Sequence, residues 1–204
     1  MNSAECVERT WRKWATRHQL DPEKVLAFAH GRRTIETVRL VAPELSADAE
    51  LSELEASEAM TSEGVYEVDG ARGLLAGLPP DRWAIVTSGV RAVAEFRLRY
   101  TGLPIPPVMI CADEISSGKP HPEGYLKAAE NLGMSPADCI VIEDAPPGIE
   151  AAHNAGMRVI AIAGTYSIEQ LAAADAVAAR LSDITVVPTD ANLVVNVSAP
   201  SNKR

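Results

Sequence analysis

Residues 140–155 read IVIEDAPPGIEAAHNA, and this stretch decides the fold. Ile140-Val141-Ile142 is an unalternating run of β-branched residues, as expected of a strand buried on both faces. Two carboxylates, Glu143 and Asp144, stand at its end, and a proline-initiated helix is expected straight after. The same succession appears elsewhere. Trp83-Ala84-Ile85-Val86, Val108-Met109-Ile110-Cys111 and Val159-Ile160-Ala161-Ile162 are further apolar runs. Helices fit at 71–77, 91–100, 122–132, 147–155 and 168–174. Strand-helix alternation predicts a parallel sheet with right-handed crossovers. A weaker run at 184–187 is expected as an edge strand.

The first third reads differently. Residues 6–18 carry Val7, Trp11, Trp14 and Ala15 near helical spacing, with Arg and Lys between them. Asp21-Pro22 predicts an N-cap with proline at the first helical position, and a short helix to about Ala29. His30-Gly31-Arg32-Arg33 is expected as a loop, Thr34 as the cap of a helix stopping before Pro43, and 48–62 as an acidic helix. Nothing here reads as a strand. The expected organisation is an α-helical domain over residues 1–68, an α/β domain over 69–188, and a polar C-terminal tail over 189–204, loosely held apart from Leu193-Val194-Val195. No internal repeat is visible.

Composition narrows the function. The chain has 204 residues, 47% of them hydrophobic, enough for a sizeable core. Lys and Arg number 19 against 28 Asp and Glu, a net charge of -9. With no basic stripe, nucleic acid is excluded as the expected partner. A local positive pocket is still compatible with an acidic whole, so small phosphorylated ligands are not excluded. Cys6, Cys111 and Cys139 lack metal-ligand spacing and read as reduced thiols. No run approaches a membrane span, and the N-terminus lacks an apolar signal core. These features predict a cytoplasmic protein with no membrane partner.

In open parallel sheets, ligands bind at the carboxyl ends of the strands. Three such ends carry suggestive residues. Thr87-Ser88-Gly89 offers a hydroxyl and backbone N–H groups in a turn before a helix: an anion cradle, or an ordinary helix cap. Ser117-Gly118-Lys119-Pro120-His121-Pro122 holds a lysine in a proline-stiffened loop, either to neutralise a phosphate or simply solvated. His121 reads as a structural loop residue. Glu143-Asp144 suits Mg²⁺, which takes few protein oxygens, or Asp144 caps the next helix. Their occurrence in order at three successive strand ends is what favours the functional alternative.

Three segments, IVTSG (85–89), GKPHPEGYLKAAENLG (118–133) and VIEDAPPGIEAAHNAG (141–156), resemble motifs II, III and IV of the haloacid dehalogenase superfamily. The subgroup resembled is that of β-phosphoglucomutase and the glycerol-phosphate and 2-deoxyglucose-6-phosphate phosphatases. HGRRTIETVRL (30–40) is similar to a cap segment of its sugar- and polyol-phosphatase members. The resemblance implies a Rossmann-like core with a helical cap. It implies that Thr87 bonds the transferring phosphoryl group, that Ser88 and Gly89 offer N–H groups, and that Lys119 bridges phosphate and nucleophile. It further implies that Glu143 and Asp144 hold Mg²⁺ directly or through water. His30, Arg32 and Arg33 become the cap candidates for touching substrate, unless they form a solvated basic loop.

The family reaction runs through an aspartyl-phosphate formed on the first Asp of DxDGT. No DxDGT occurs in this sequence. In the family that motif ends the first core strand, ahead of the cap, and continues through an apolar pair to Asp or Asn and Ser. Met1-Asn2-Ser3 matches the end of that register. The expectation is therefore a fold whose first core strand, central between those ending at Thr87 and Glu143, is missing, as from a start placed too late. Without another segment in the gap, stability should be poor, because unsatisfied buried groups cost about 1–3 kcal/mol each. The activity expected is hydrolysis of a small sugar or polyol phosphate. The alternatives are a non-catalytic protein binding a phosphorylated ligand or partner, and, ranked last, a different Mg²⁺-assisted reaction.

Overall fold

The computed structural model describes residues 1–59, 61–189 and 192–198. Four helices come first: α1 (Ala4–Arg17), α2 (Pro22–Ala29), α3 (Thr34–Val41) and α4 (Ala47–Ala59). The Asp21 side chain accepts from Glu23 N–H at 3.0 Å, so the sequence's N-cap is real. At α3 the cap position is taken by Arg33 rather than Thr34. Trp11, Trp14, Val25, Leu26, Val38 and Leu54 bury one common core among these helices. At roughly 1.5–3 kcal/mol for each fully buried large apolar side chain, this cluster is what holds the four short helices together.

The remainder alternates strand and helix. α5 (Ala71–Ala76) leads to β1 (Ala84–Val86), α6 (Arg91–Thr101), β2 (Val108–Ile110), α7 (Glu123–Asn131), β3 (Ile140–Glu143), α8 (Pro146–Asn154) and β4 (Arg158–Ile162). β1 pairs with β2, and β3 with β4, in parallel. The α/β class and the helical cap expected from the sequence are both present.

The sheet is split. β1–β2 forms one sheet and β3–β4–β5 another, with β5 at Ala176–Ala178. No ladder joins β1 to β3, and among the described residues each keeps one unpaired edge. Ile142, in the middle of β3, is 39% exposed although it belongs to an apolar run.

Three local expectations are corrected. Residues 168–174 form successive turns, not a helix. Leu171, fully buried, accepts from Ala174 N–H, and Asp175 pins the following chain to Val159 through both backbone and side chain. That tether leaves no room for a helical rise. β5 follows and was not anticipated. In the expected tail, Leu193–Val197 forms β7, antiparallel to β6 (Ile184–Pro188). Ile184, Val195 and Val197 pack on Ile160 and Ala178, so the hairpin covers one face of the sheet. The other tail residues, 190, 191 and 199–204, lie outside the described residues.

Candidate active site

The ends of β1, β2 and β3 bring the three sequence features together. Thr87, Ser88, Lys119 and Tyr125 line one small cavity. Lys119 Nζ contacts Glu143 Oε1. Asp144 follows directly and is close enough for its charge to act on Lys119. Thr87 N–H donates to Ile110 O at 2.9 Å, which continues the β1–β2 ladder and fixes where the hydroxyl stands.

Glu143 is the hub. Oε1 accepts from Lys119 and, at 2.8 Å, from the Tyr125 hydroxyl. Oε2 accepts from Asp144 N–H at 2.8 Å and Ala145 N–H at 3.2 Å. Burial disfavours its charge, but Lys119 first, then the Tyr125 and backbone bonds, hold it below the usual carboxylate range. Burial likewise pulls the Lys119 ammonium down, yet Glu143 and Tyr125 outweigh it and leave it above the ordinary lysine value. Asp144 goes the other way: burial and then the charge of Glu143 push its carboxyl up.

Two residues that the sequence reading did not single out complete the hub. Tyr125, on α7, also lies under Lys119, its ring centre 5.1 Å from Nζ. Gly148, on α8, faces the Glu143 carboxylate so closely that a Cβ there would overlap it. For Tyr125 the available signal was helical spacing after Lys119; for Gly148 it was the glycine just inside a proline-started helix. Gly148→Ala should displace the carboxylate from both backbone donors. We expect a loss of about 2–3 kcal/mol, as for a buried charge deprived of hydrogen bonds. Urea midpoints with an unchanged m-value would read it, and a wild-type midpoint would refute the close approach.

The other expected residues are placed unevenly. Ser88 Oγ donates to the cap carbonyl of Gly31 at 2.9 Å, and Gly89 N–H donates to Thr87 Oγ1 at 3.1 Å. Both groups are thus engaged within the protein. Arg32 lines an open cleft of about 500 Å³ with Lys119, His121 and Asn154. Neither cavity is lined by His30 or Arg33. The His30 ring lies 3.6 Å from Glu8.

A cation fits this site only in part. All four hydrogen bonds to Glu143 come from protein donors, so in this arrangement Glu143 has no vacant lone pair directed at a metal. Asp144 is a different case: it is exposed at the strand end, and a carboxyl whose ionisation is opposed by a neighbouring carboxylate is what a divalent ion would relieve. Among the described residues, the one trio with metal-ligand proximity is Cys111, Asp113 and Glu114. There Glu114 accepts from Cys111 N–H and Arg91, so it terminates a turn.

Residues 1–162 match the family described as haloacid dehalogenase-like hydrolase. This chain belongs to that family. It is 43% identical over 194 residues to hexitol phosphatase A of Escherichia coli K12, covering 91% of this chain and 88% of that protein. It is 34% identical over 181 residues to glycerol-1-phosphate phosphohydrolase 2 of Saccharomyces cerevisiae, covering 83% and 72%. Among solved structures, β-phosphoglucomutase from Clostridium difficile superposes with a TM-score of 0.77 at 21% identity, over 89% of this chain and 86% of that one. That likeness speaks for the fold. No helix among the described residues is long and apolar enough to cross a membrane.

Proposed function

We propose that this chain is the cap and core of a magnesium-dependent phosphatase for a small sugar or polyol phosphate. The observation that carries the reading is the shared cavity of Thr87 and Lys119, with Lys119 bonded to Glu143 and Asp144 adjoining. A hydroxyl and an ammonium at the ends of neighbouring parallel strands suit a phosphoryl dianion. The substrate class rests on the two phosphatase relatives. Arg32 borders the cleft where the alcohol portion would lie. The cap is assigned to residues 1–68 and the core to 69–188, which agrees with an apolar cluster confined to the first four helices. Three free thiols favour a cytoplasmic setting.

In this reading Thr87 donates to a non-bridging phosphoryl oxygen and Lys119 neutralises charge there. Asp144 would hold Mg²⁺, with the charge of Glu143 beside it, and the bound ion would act as a Lewis acid toward the phosphoryl oxygens. The nucleophilic carboxylate belongs to a DxDGT strand, for which the unpaired edges of β1 and β3 are the matching place. A second reading, a non-catalytic phosphate binder, is favoured by one observation: Lys119 is paired with Glu143.

Both readings require that the 204-residue chain bind inorganic phosphate with Mg²⁺. At about 100 times the dissociation constant, binding adds about 2.7 kcal/mol, or roughly 5–10 °C in Tm for this size. Thr87→Val should abolish most of that shift while leaving the unliganded Tm within about 2 °C. No phosphate shift in the wild type would defeat both. Steady Mg²⁺-dependent release of phosphate from hexitol or glycerol phosphates by the 204-residue chain would eliminate the non-catalytic one.

A further inference from the structure

Arg33 shows an unusual degree of engagement for a cap residue. A guanidinium has five N–H donors in a planar fork, and here five contacts use it. Nε donates to Glu36 Oε1 at 2.9 Å, and Nη2 lies 2.7 Å from the same oxygen. Nη1 donates to Ile115 O at 2.8 Å and, more weakly, to Ala112 O at 3.4 Å. Nη2 donates to Ser116 O at 2.7 Å. Three of the five reach carbonyls of the core loop between β2 and α7, the loop that carries Lys119.

Glu36, one turn along α3, completes the grip. Its Oε1 also accepts from Gly118 N–H at 2.8 Å. Gly118 is the residue before Lys119, and a Cβ there would stand 2.6 Å from Glu36 Oε2 and 2.9 Å from Arg33 Cγ. Only a glycine admits so close an approach. The neighbouring amides are held from the core side, where Glu123 accepts from Ser116 N–H and Ser117 N–H, each at 2.8 Å. The loop backbone is therefore gripped from two domains. The core supplies Glu123, and the cap supplies Arg33 and Glu36. A third cap contact lies nearby, where Gly31 O accepts from Ser88 Oγ.

We propose that Arg33 and Glu36 are positioning residues: a cap-borne latch that sets the Lys119 loop, so that docking of the cap and placement of the phosphate-neutralising ammonium are one event. Both act on the loop through its backbone, and Glu36 also borders the open cleft. The latch links the helical cap to the phosphate loops through backbone groups, which makes it independent of what Lys119 itself bonds. The part of the proposal that concerns phosphate rests on the functional reading above. The part that concerns the loop does not.

The test uses the full 204-residue chain and three variants: Arg33→Lys, Glu36→Gln and Gly118→Ala. Arg33→Lys keeps the charge and removes the fork. Glu36→Gln keeps the shape and removes the charge, and it carries the test if the lysine variant fails to fold. Two quantities are measured, amide hydrogen exchange by residue and affinity for inorganic phosphate with Mg²⁺. Each variant should raise exchange at residues 116–118 by about tenfold, the equivalent of one net hydrogen bond. Exchange in the cap core around Trp14 and Val38 should stay at the wild-type rate. Phosphate affinity should fall by about tenfold as well, and in Glu36→Gln the unliganded Tm should change little, a separation that a purely structural role would not produce. Unchanged exchange at 116–118 in all three variants would overturn the latch. Raised exchange with unchanged phosphate affinity would overturn its coupling to Lys119. If wild-type chain binds no phosphate, the functional reading fails, and the exchange pattern alone decides whether the latch exists.

Discussion

Joining an apolar strand that ends in DxDGT ahead of Met1 should convert this chain into a stable, turning-over phosphatase. The physical case begins with β1 and β3. Each is a parallel strand paired on one side only, β1 to β2 and β3 to β4. Val86 of β1 packs with the cluster that contains Val141 of β3, so both edges border the same core. Ile142 stands half-exposed in a run that should be buried on both faces. A strand between them would add about six ladder hydrogen bonds at about 1 kcal/mol net each, and would cover Ile142. Against a typical total of about 5–15 kcal/mol, a gain on the order of 5 kcal/mol is large. Its carboxyl end would fall beside Thr87 and Asp144. The Met1 amino group already lies within the field of Asp144. The first Asp would supply the nucleophile, and also a further carboxylate beside Glu143 and Asp144. Urea denaturation and Mg²⁺-dependent release of phosphate from hexitol and glycerol phosphates would be followed together. A control with the first Asp replaced by Asn should keep the stability gain and lose turnover. An extended chain no more stable than the 204-residue one would show that the gap between β1 and β3 is not a strand site.

Lys119→Met should be the most damaging single substitution, and its effect should depend on pH in a defined direction. In the wild type, Glu143 sits below its ordinary value because Lys119, Tyr125 and backbone donors outweigh burial. A carboxylate depressed in the folded state stabilises above its unfolded value of about 4.3, and that contribution is lost as pH falls through the folded value. Removing Lys119 takes away the largest opposing influence, and burial then pushes Glu143 up instead. A carboxyl raised in the folded state contributes stability only while protonated and loses it as pH rises through the folded value. Breaking a buried pair costs about 3–5 kcal/mol, so the deficit should approach that at pH 7.5 and shrink markedly toward pH 4.5. Methionine fills nearly the volume of the lysine stem, so cavity formation adds little. Paired denaturation curves at the two pH values measure this. Equal deficits at both would mean that Glu143 keeps one protonation state over this range with or without Lys119, and would overturn the predicted upward shift.

The substitution also separates the roles of the hub. Tyr125 and the amides of Asp144 and Ala145 remain bonded to Glu143 when Lys119 is gone. A residual stability well above zero would therefore be expected. Phosphate binding, by contrast, loses its one cavity-lining ammonium.

Features written in short-range pattern were legible before any fold was known. β-branched runs at 84–86, 140–142 and 159–162 specify strands, and each became a parallel strand, though only 159–161 is buried throughout. Asp21-Pro22 specifies a helix start because cap and proline act within one turn. Thr87 and Lys119 line one cavity because parallel sheets place successive strand ends on one side. The tertiary structure decided whatever depends on a partner far along the chain. Leu193–Val197 is a short apolar run in a polar tail, and it becomes a strand because Ile184–Pro188 lies alongside it. Residues 168–174 have helical composition but are tethered at Asp175 by Val159. Arg33 reads as a free basic residue in a loop, and only folding brings it to carbonyls 79 to 83 positions away. Glu143 reads as a metal ligand, yet Lys119, 24 positions earlier, and Tyr125, 18 positions earlier, claim it first. Periodicity and capping are local energies, legible residue by residue. The direction in which a buried charge turns is set by which donors the finished fold brings within reach.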